Sequence, residues 1–219
     1  MKNFMEKFGD NLRTNVNLAS YSWFNLGGPA QYFYKAKDKN QLLEFLEEAK
    51  KEKLNITIIG AGSNILFRDK GVKGVVIKLG TDFSFVKLEN KNIIHTGAAT
   101  LDRKVSDFAK ENNLSNLEFL SCIPGSIGGA IIMNSGCYDD DISKILLSIR
   151  VLNKHSLKEE EINKEDIKFL YRDTNLNKNF IVLSAKLKGI TSEQKFIEKK
   201  QSLLVQKKKK SQPNQIKTC

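Results

Sequence analysis

The sequence predicts an α+β fold of 219 residues. Three observations point there. Helix and strand periodicities alternate at first, as in a βαβ unit. Strand signals then dominate, so the alternation of a doubly wound sheet is not sustained. Between the later strands lies a segment, 121–138, rich in Gly, Ser and Pro and poor in charge. With 40% apolar and 28% charged residues the chain is near globular averages. Its length supports one large or two small domains with a real core.

Residues 1–20 read as a polar lead-in. Gly27, Gly28 and Pro29 mark a turn, and QYFYKAK has strand character. Asp38 is placed to cap a helix whose apolar stripe is Leu42, Leu43, Leu46 and Ala49. Asn55 to Ile59 is a short β-branched strand that runs straight into Gly60-Ala61-Gly62-Ser63-Asn64. VKGVVIKL, FSFVKLEN and NIIHTGA follow as strands, separated by the turn signals RDKG and ENKN. Leu101 to Glu111 reads as a helix with Leu101, Val105, Phe108 and Ala109 inward. LLSIRVLN and FIVLSAKLKG resume the strands. Thr191 and Gln194 suit a capping box for a helix to about Val205, with Phe196, Ile197, Leu203 and Leu204 on its inner face. QKKKKSQPNQIKTC reads as a polar tail.

Composition narrows the function. The formal net charge is +11, which favours anionic ligands in general. The surplus is lysine; the only arginines are Arg13, Arg68, Arg103, Arg150 and Arg172. Guanidinium is the better fork for phosphates and base edges, so AT-rich codon usage explains the bias better than nucleic-acid binding does. Cys122, Cys137 and Cys219 are odd in number and form no CxxC, which fits a reducing cytosol rather than a disulfide framework. His95 and His155 have no neighbours at ligand spacing, so no metal site is expected. The N-terminus lacks the apolar stretch of a signal peptide, and no segment has the uncharged length of a membrane span. The expectation is a cytoplasmic protein without membrane contacts.

Three constellations carry chemistry. In Gly60-Ala61-Gly62-Ser63-Asn64-Ile65, a buried strand opens into small residues whose amides can form an anion nest, with Ser63 and Asn64 adding polar side chains. The third glycine of a Rossmann fingerprint would fall at Ile65, and no Gly-Lys-Ser/Thr ending follows, so neither nucleotide motif is met. Alone, this piece reads equally as a tight turn. In Ile123-Pro124-Gly125-Ser126-Ile127-Gly128-Gly129-Ala130, continuing to Asn134 and Gly136, an uncharged small-residue stretch must be buried or covered by ligand. Pro124 suits a first helical turn, and a side chain at Gly128 is expected to fill ligand space. In Phe169-Leu170-Tyr171-Arg172-Asp173-Thr174, the arginine could grip a carboxylate or steady an enolate. By sequence alone, a surface Arg172–Asp173 pair is the better reading of this third piece.

Taken in this order, FNLGGPAQYF, GAGSNILFRDKGVKGVVIKL, TGAATL, IPGSIGGAIIMNSGCYDDDIS and FLYRDTNL resemble the UDP-N-acetylenolpyruvoylglucosamine reductase family (UDP-N-acetylmuramate dehydrogenases) from about Trp23 to Lys188. The resemblance implies a two-lobed FAD-binding domain of the vanillyl-alcohol oxidase and p-cresol methylhydroxylase type at about 21–190, the lobes meeting near 80. The start of a smaller α+β substrate domain would follow at 191–219. It implies non-covalent FAD, NADPH as hydride donor, and UDP-N-acetylglucosamine enolpyruvate as substrate in peptidoglycan precursor synthesis. Gly60, Ala61, Gly62, Ser63, Asn64 and Ile65 match the loop around the FAD pyrophosphate. Ile123, Pro124, Gly125, Ser126, Gly128 and Gly129 match the second flavin loop, which Asn134 and Gly136 close. Arg172 matches the active-site arginine, and Tyr171 precedes it at the substrate side. Thr174 stands where many members have serine. In the family, the Thr-Cys pair matched by Thr218-Cys219 precedes a Gly-Ser motif whose serine protonates the enolate, and a later glutamate assists. The expectation is a chain incomplete for turnover, alone or completed by a second chain. Its alternatives are an FAD-binding fragment without full activity and another FAD-linked oxidoreductase of the same superfamily.

Overall fold

The structure, a computed structural model, describes residues 2–212. It opens with helix α1 (Lys2–Phe8) and strand β1 (Leu12–Asn17), where the sequence suggests only a polar lead-in. Phe4, Phe8 and Leu12 recur every fourth residue among charged neighbours, and all three are buried. Phe4 and Phe8 lie on one face of α1, which packs against the first sheet, where Leu12 opens β1.

The first sheet contains β1, β2 (Pro29–Ala36), β3 (Ile56–Ile59) and β4 (Val72–Leu79), in the order β1-β2-β4-β3. β1 runs antiparallel to β2, whereas β2, β4 and β3 are mutually parallel. Helix α2 (Lys39–Lys51) makes the crossover between β2 and β3. Asp38 caps it, accepting the Gln41 N–H at 2.9 Å. Its buried face is Leu42, Phe45, Leu46 and Ala49; Leu43 of the expected stripe is only partly buried. The Phe45 ring stacks on Tyr34 at 3.7 Å between centroids and meets the edges of Phe8 and Phe4. The N-terminal segment therefore completes this aromatic core.

The second sheet contains β5 (Val86–Asn90), β6 (Ile93–Gly97), β7 (Leu146–Asn153), β8 (Glu159–Asn163) and β9 (Phe180–Lys188), in the order β8-β7-β9-β6-β5. All its neighbours are antiparallel. Helices α3 (Asp102–Glu111) and α4 (Ile127–Ile132) lie between its strands in sequence. Val105 and Ala109 of α3 are buried, whereas Leu101 is 56% exposed.

Helix α5 (Gln194–Ser211) departs from expectation. Its N-cap is Glu193 without a side-chain cap bond, because Thr191 pairs with Leu114 in a short ladder and is not free to cap. The helix continues through the lysines past Val205. Ile197 and Gln201 are buried, while Phe196 and Leu203 are each more than half exposed. Gln201 Nε2 donates to Ser106 Oγ at 3.1 Å and Asp107 Oδ1 at 2.9 Å, so a polar contact fixes the helix face. Among the described residues no helix is long and apolar enough to cross a membrane. The expected tail beyond residue 212, with Cys219, lies outside the described residues.

Two predictions follow from the packing. Phe4→Ala should lower unfolding stability by about 3 kcal/mol in urea denaturation, the cost of emptying a buried aromatic site. An unchanged midpoint would show that α1 is not part of the core. The second concerns Asp102, which is fully buried and whose two carboxyl oxygens have no partner. Burial raises its pKa well above the ordinary 3.8. Folding above that ordinary value then takes up a proton. Asp102 therefore costs nothing below about pH 4, and stability falls as pH rises toward the folded-state pKa. Asp102→Asn should raise the melting temperature relative to wild type by an amount that grows from pH 4 to pH 8. A difference independent of pH would contradict the neutral buried acid.

Candidate functional site

A cleft of about 340 Å³ opens where β3 and β4 end, between the two sheets. Parallel strands leave such crevices at their carboxyl ends. Gly60 to Ile65 form one wall, and Ile123, Gly125, Ser126, Gly128 and Gly129 the other. Ala98 and Ala99, just past β6, and Phe180 to Val182 of β9 add mainly apolar surface.

The first wall is held by the segment preceding β2. Gly62 has φ +78°, and a Cβ there would stand 1.9 Å from the Tyr21 carbonyl oxygen. The Gly62 carbonyl accepts the Trp23 N–H at 2.9 Å. Only glycine combines that backbone with that approach. The amides of Ala61, Gly62, Ser63 and Asn64 find no acceptor among the described residues. Four successive amides without a protein acceptor, beside a cleft, form an anion nest.

The second wall is built differently. The Ile127 N–H donates to Thr100 O at 3.0 Å, and the Gly128 N–H to Ala98 O at 2.9 Å. Asp102 N–H donates to Gly125 O at 3.2 Å. These amides anchor the loop on residues 98–102 and are not available to a ligand. Pro124 lies before α4, not in its first turn; Ser126 is the N-cap, with no side-chain cap bond. Its hydroxyl is buried and without a partner. That oxygen faces the first wall, since a Cβ on Gly60 would stand 2.6 Å from it. Gly129 is open: a Cβ there meets only Ser126 Oγ, at 3.9 Å. Gly128 lines the cleft, but a Cβ there would meet Ala98 Cβ at 3.0 Å and Ala98 O at 3.2 Å, so a side chain at 128 would press on residue 98 rather than simply fill ligand space.

Arg172 sits at the tip of a hairpin formed by Phe169–Leu170 and Asp173–Thr174, with φ +57°. Its Nη2 donates to Gly136 O at 2.6 Å. The surface Arg172–Asp173 pair does not form; the Asp173 carboxylate accepts the Thr174 N–H instead. Buried Asn134 donates to Leu170 O at 3.2 Å and accepts the Ser143 N–H at 3.1 Å. The Thr174 hydroxyl donates to Ile132 O at 3.1 Å. Asn134 and Thr174 thus tie the arginine hairpin to the end of α4, whose Ile132 lines the cleft. Pro124, Asn134, Gly136, Tyr171 and Arg172 lie outside the cleft lining, and Tyr171 is 89% exposed. Sequence reasoning missed Lys78, Leu79, Ala98, Ala99 and Phe180 to Val182 as cleft residues. They sit in or just past strands and carried only a β pattern.

This geometry suits an elongated dinucleotide. A diphosphate matches the free amides, the unpartnered Ser126 hydroxyl supplies a donor across the gap, and glycine and alanine surfaces admit a flat ring.

Comparison with known proteins agrees. Residues 30–156 match the FAD binding domain family. UDP-N-acetylenolpyruvoylglucosamine reductase of Wolbachia pipientis subsp. Culex pipiens is 37% identical over 207 residues, covering 94% of this chain and 69% of that protein. The enzyme of the same name from Pelagibacter ubique is 37% identical over 219 residues, covering 98% and 72%. The crystal structure of UDP-N-acetylenolpyruvylglucosamine reductase from Thermus caldophilus superposes with a TM-score of 0.80 at 27% identity, over 93% of this chain and 71% of that one. The α+β architecture is shared with that reductase structure, and the chain belongs to the UDP-N-acetylenolpyruvoylglucosamine reductase family.

Proposed function

We propose that this chain binds FAD non-covalently and serves the NADPH-dependent reduction of UDP-N-acetylglucosamine enolpyruvate to UDP-N-acetylmuramate in the cytoplasm. The observation that carries the reading is the pair of glycine walls with four free amides on one side and an unpartnered buried hydroxyl on the other. The same reading divides the chain into lobes of about 21–80 and 81–190, supported by the two sheets, with a substrate domain beginning near 191.

The amides of Ala61 to Asn64 would hold the diphosphate, and Ser126 would donate to the cofactor from the opposite wall. Gly125 and Gly129 would keep that wall free of side chains. FAD held there would supply hydride transfer from NADPH to the enolpyruvyl methylene carbon. The π electrons of that double bond shift toward the substrate carboxylate, where Arg172 would steady the negative charge. The Gly136 carbonyl and the left-handed turn fix the guanidinium before substrate arrives, so little reorganisation is needed. Tyr171, exposed beside it, would face the substrate. On the family pattern, the proton that quenches the enolate comes from a serine following a Thr-Cys pair, here Thr218-Cys219.

The test is a flavin titration followed by anaerobic stopped-flow absorbance. Wild type should bind FAD that acid denaturation releases, and NADPH should bleach it. Gly129→Leu should lose FAD binding while keeping its far-UV circular dichroism; unchanged affinity would refute the cleft as the flavin site. Arg172→Ala should leave bleaching by NADPH intact and slow reoxidation by the enolpyruvyl substrate about 10²-fold, the scale for losing one oxyanion-stabilising group. Equal loss in both half-reactions would contradict the assigned role.

A further inference from the structure

Lys78 ends the run of β4 beside the first glycine wall and lines the cleft. It pairs in register with Ile59, the residue before Gly60. On its other side it pairs with Lys35 of β2, so two ammonium stems stand on neighbouring strands. Some lysines elsewhere in the molecule find carboxylates, Lys7 with Glu44 and Glu48 and Lys186 with Glu89 and Glu161. Among the described residues Lys78 has no such partner. Its Nζ instead lies 5.4 Å from the centroid of the Tyr21 ring.

That ring is itself fixed. It packs on Phe33 at 4.4 Å between centroids, and its phenol oxygen accepts from Arg13 Nη2 at 2.7 Å. The Tyr21 carbonyl is the atom that leaves no room for a side chain at Gly62. One residue therefore places both the aromatic seat of the Lys78 ammonium and the turn that presents the free amides. A half-buried cation over an aromatic face, without a counter-ion and beside an anion nest, is matched by a diphosphate.

We infer that Lys78 is the counter-ion of the FAD diphosphate in this chain, holding it against the amides of Ala61 to Asn64 and favouring FAD over flavins without a diphosphate. This rests on the flavin reading above. The methylene stem of Lys78 packs in the cleft wall, so methionine is the replacement that removes charge and keeps bulk.

The experiment measures the Kd of FAD and of riboflavin by fluorescence for wild type, Lys78→Met and Lys78→Arg, at 50 and 300 mM salt. Lys78→Met should weaken FAD about tenfold, the scale of one charge-assisted contact, leave riboflavin unchanged, and flatten the salt dependence of FAD binding. Lys78→Arg should keep most of the affinity and the salt dependence. FAD affinity within twofold of wild type in Lys78→Met, or equal losses for FAD and riboflavin, would overturn the assignment while the flavin reading stood. A wild-type chain that bound neither flavin would bring down both.

Discussion

The two glycine-rich loops approach across a gap in which Gly60 faces the Ser126 hydroxyl, where a single added methyl group would stand 2.6 Å from the oxygen. The cleft depends on that gap staying free of side chains. Gly62 presses from behind against the Tyr21 carbonyl, so the first loop cannot retreat. The second loop is tied by its amides to residues 98–102, so it cannot retreat either. A side chain at position 60 would enter that gap and displace the Ser126 hydroxyl. The cleft is thus a property of packing already present before ligand, and binding need not be charged with the cost of forming it.

The two walls have different chemistry for a physical reason. A parallel strand that ends in a tight turn leaves successive amides without ladder partners, and Ala61 to Asn64 occupy such a turn after β3. α4 is only Ile127–Ile132, and its first amides already serve the connection from β6 to α3. On the function proposed above, the diphosphate would lie against the first wall and the flat ring against the second. Lys78, on the strand next to the first wall, places charge on the same side.

Much of this was legible in the sequence. Asp38 before an apolar stripe announced α2, and Gly60 to Asn64 after a β-branched run announced the first wall. The uncharged 123–136 stretch announced the second. What was not legible has physical causes. α1 hid because Phe4 and Phe8 are scattered among charges and their partners, Tyr34 and Phe45, lie far along the chain. Gly128 and Gly129 look alike in sequence, and only the position of Ala98 decides which of them has open space for a side chain. Arg172 reads as a surface charge beside Asp173 until Asn134 and Thr174 are seen to dock its hairpin on α4. Lys78 is one of many lysines, distinguished by its place in the cleft lining and by the Tyr21 ring beneath it.

The central claim is that the amides of Ala61 to Asn64, unpaired within the protein, hold the diphosphate of FAD. Residue-resolved hydrogen exchange measures this directly. Without flavin these four amides should exchange as fast as exposed loop positions, while those of Ile127 and Gly128, bonded to Thr100 and Ala98, should already be protected. Saturation with FAD should slow the first set strongly and change the second little. Protection of Ala61 to Asn64 that is the same with and without FAD would contradict the account.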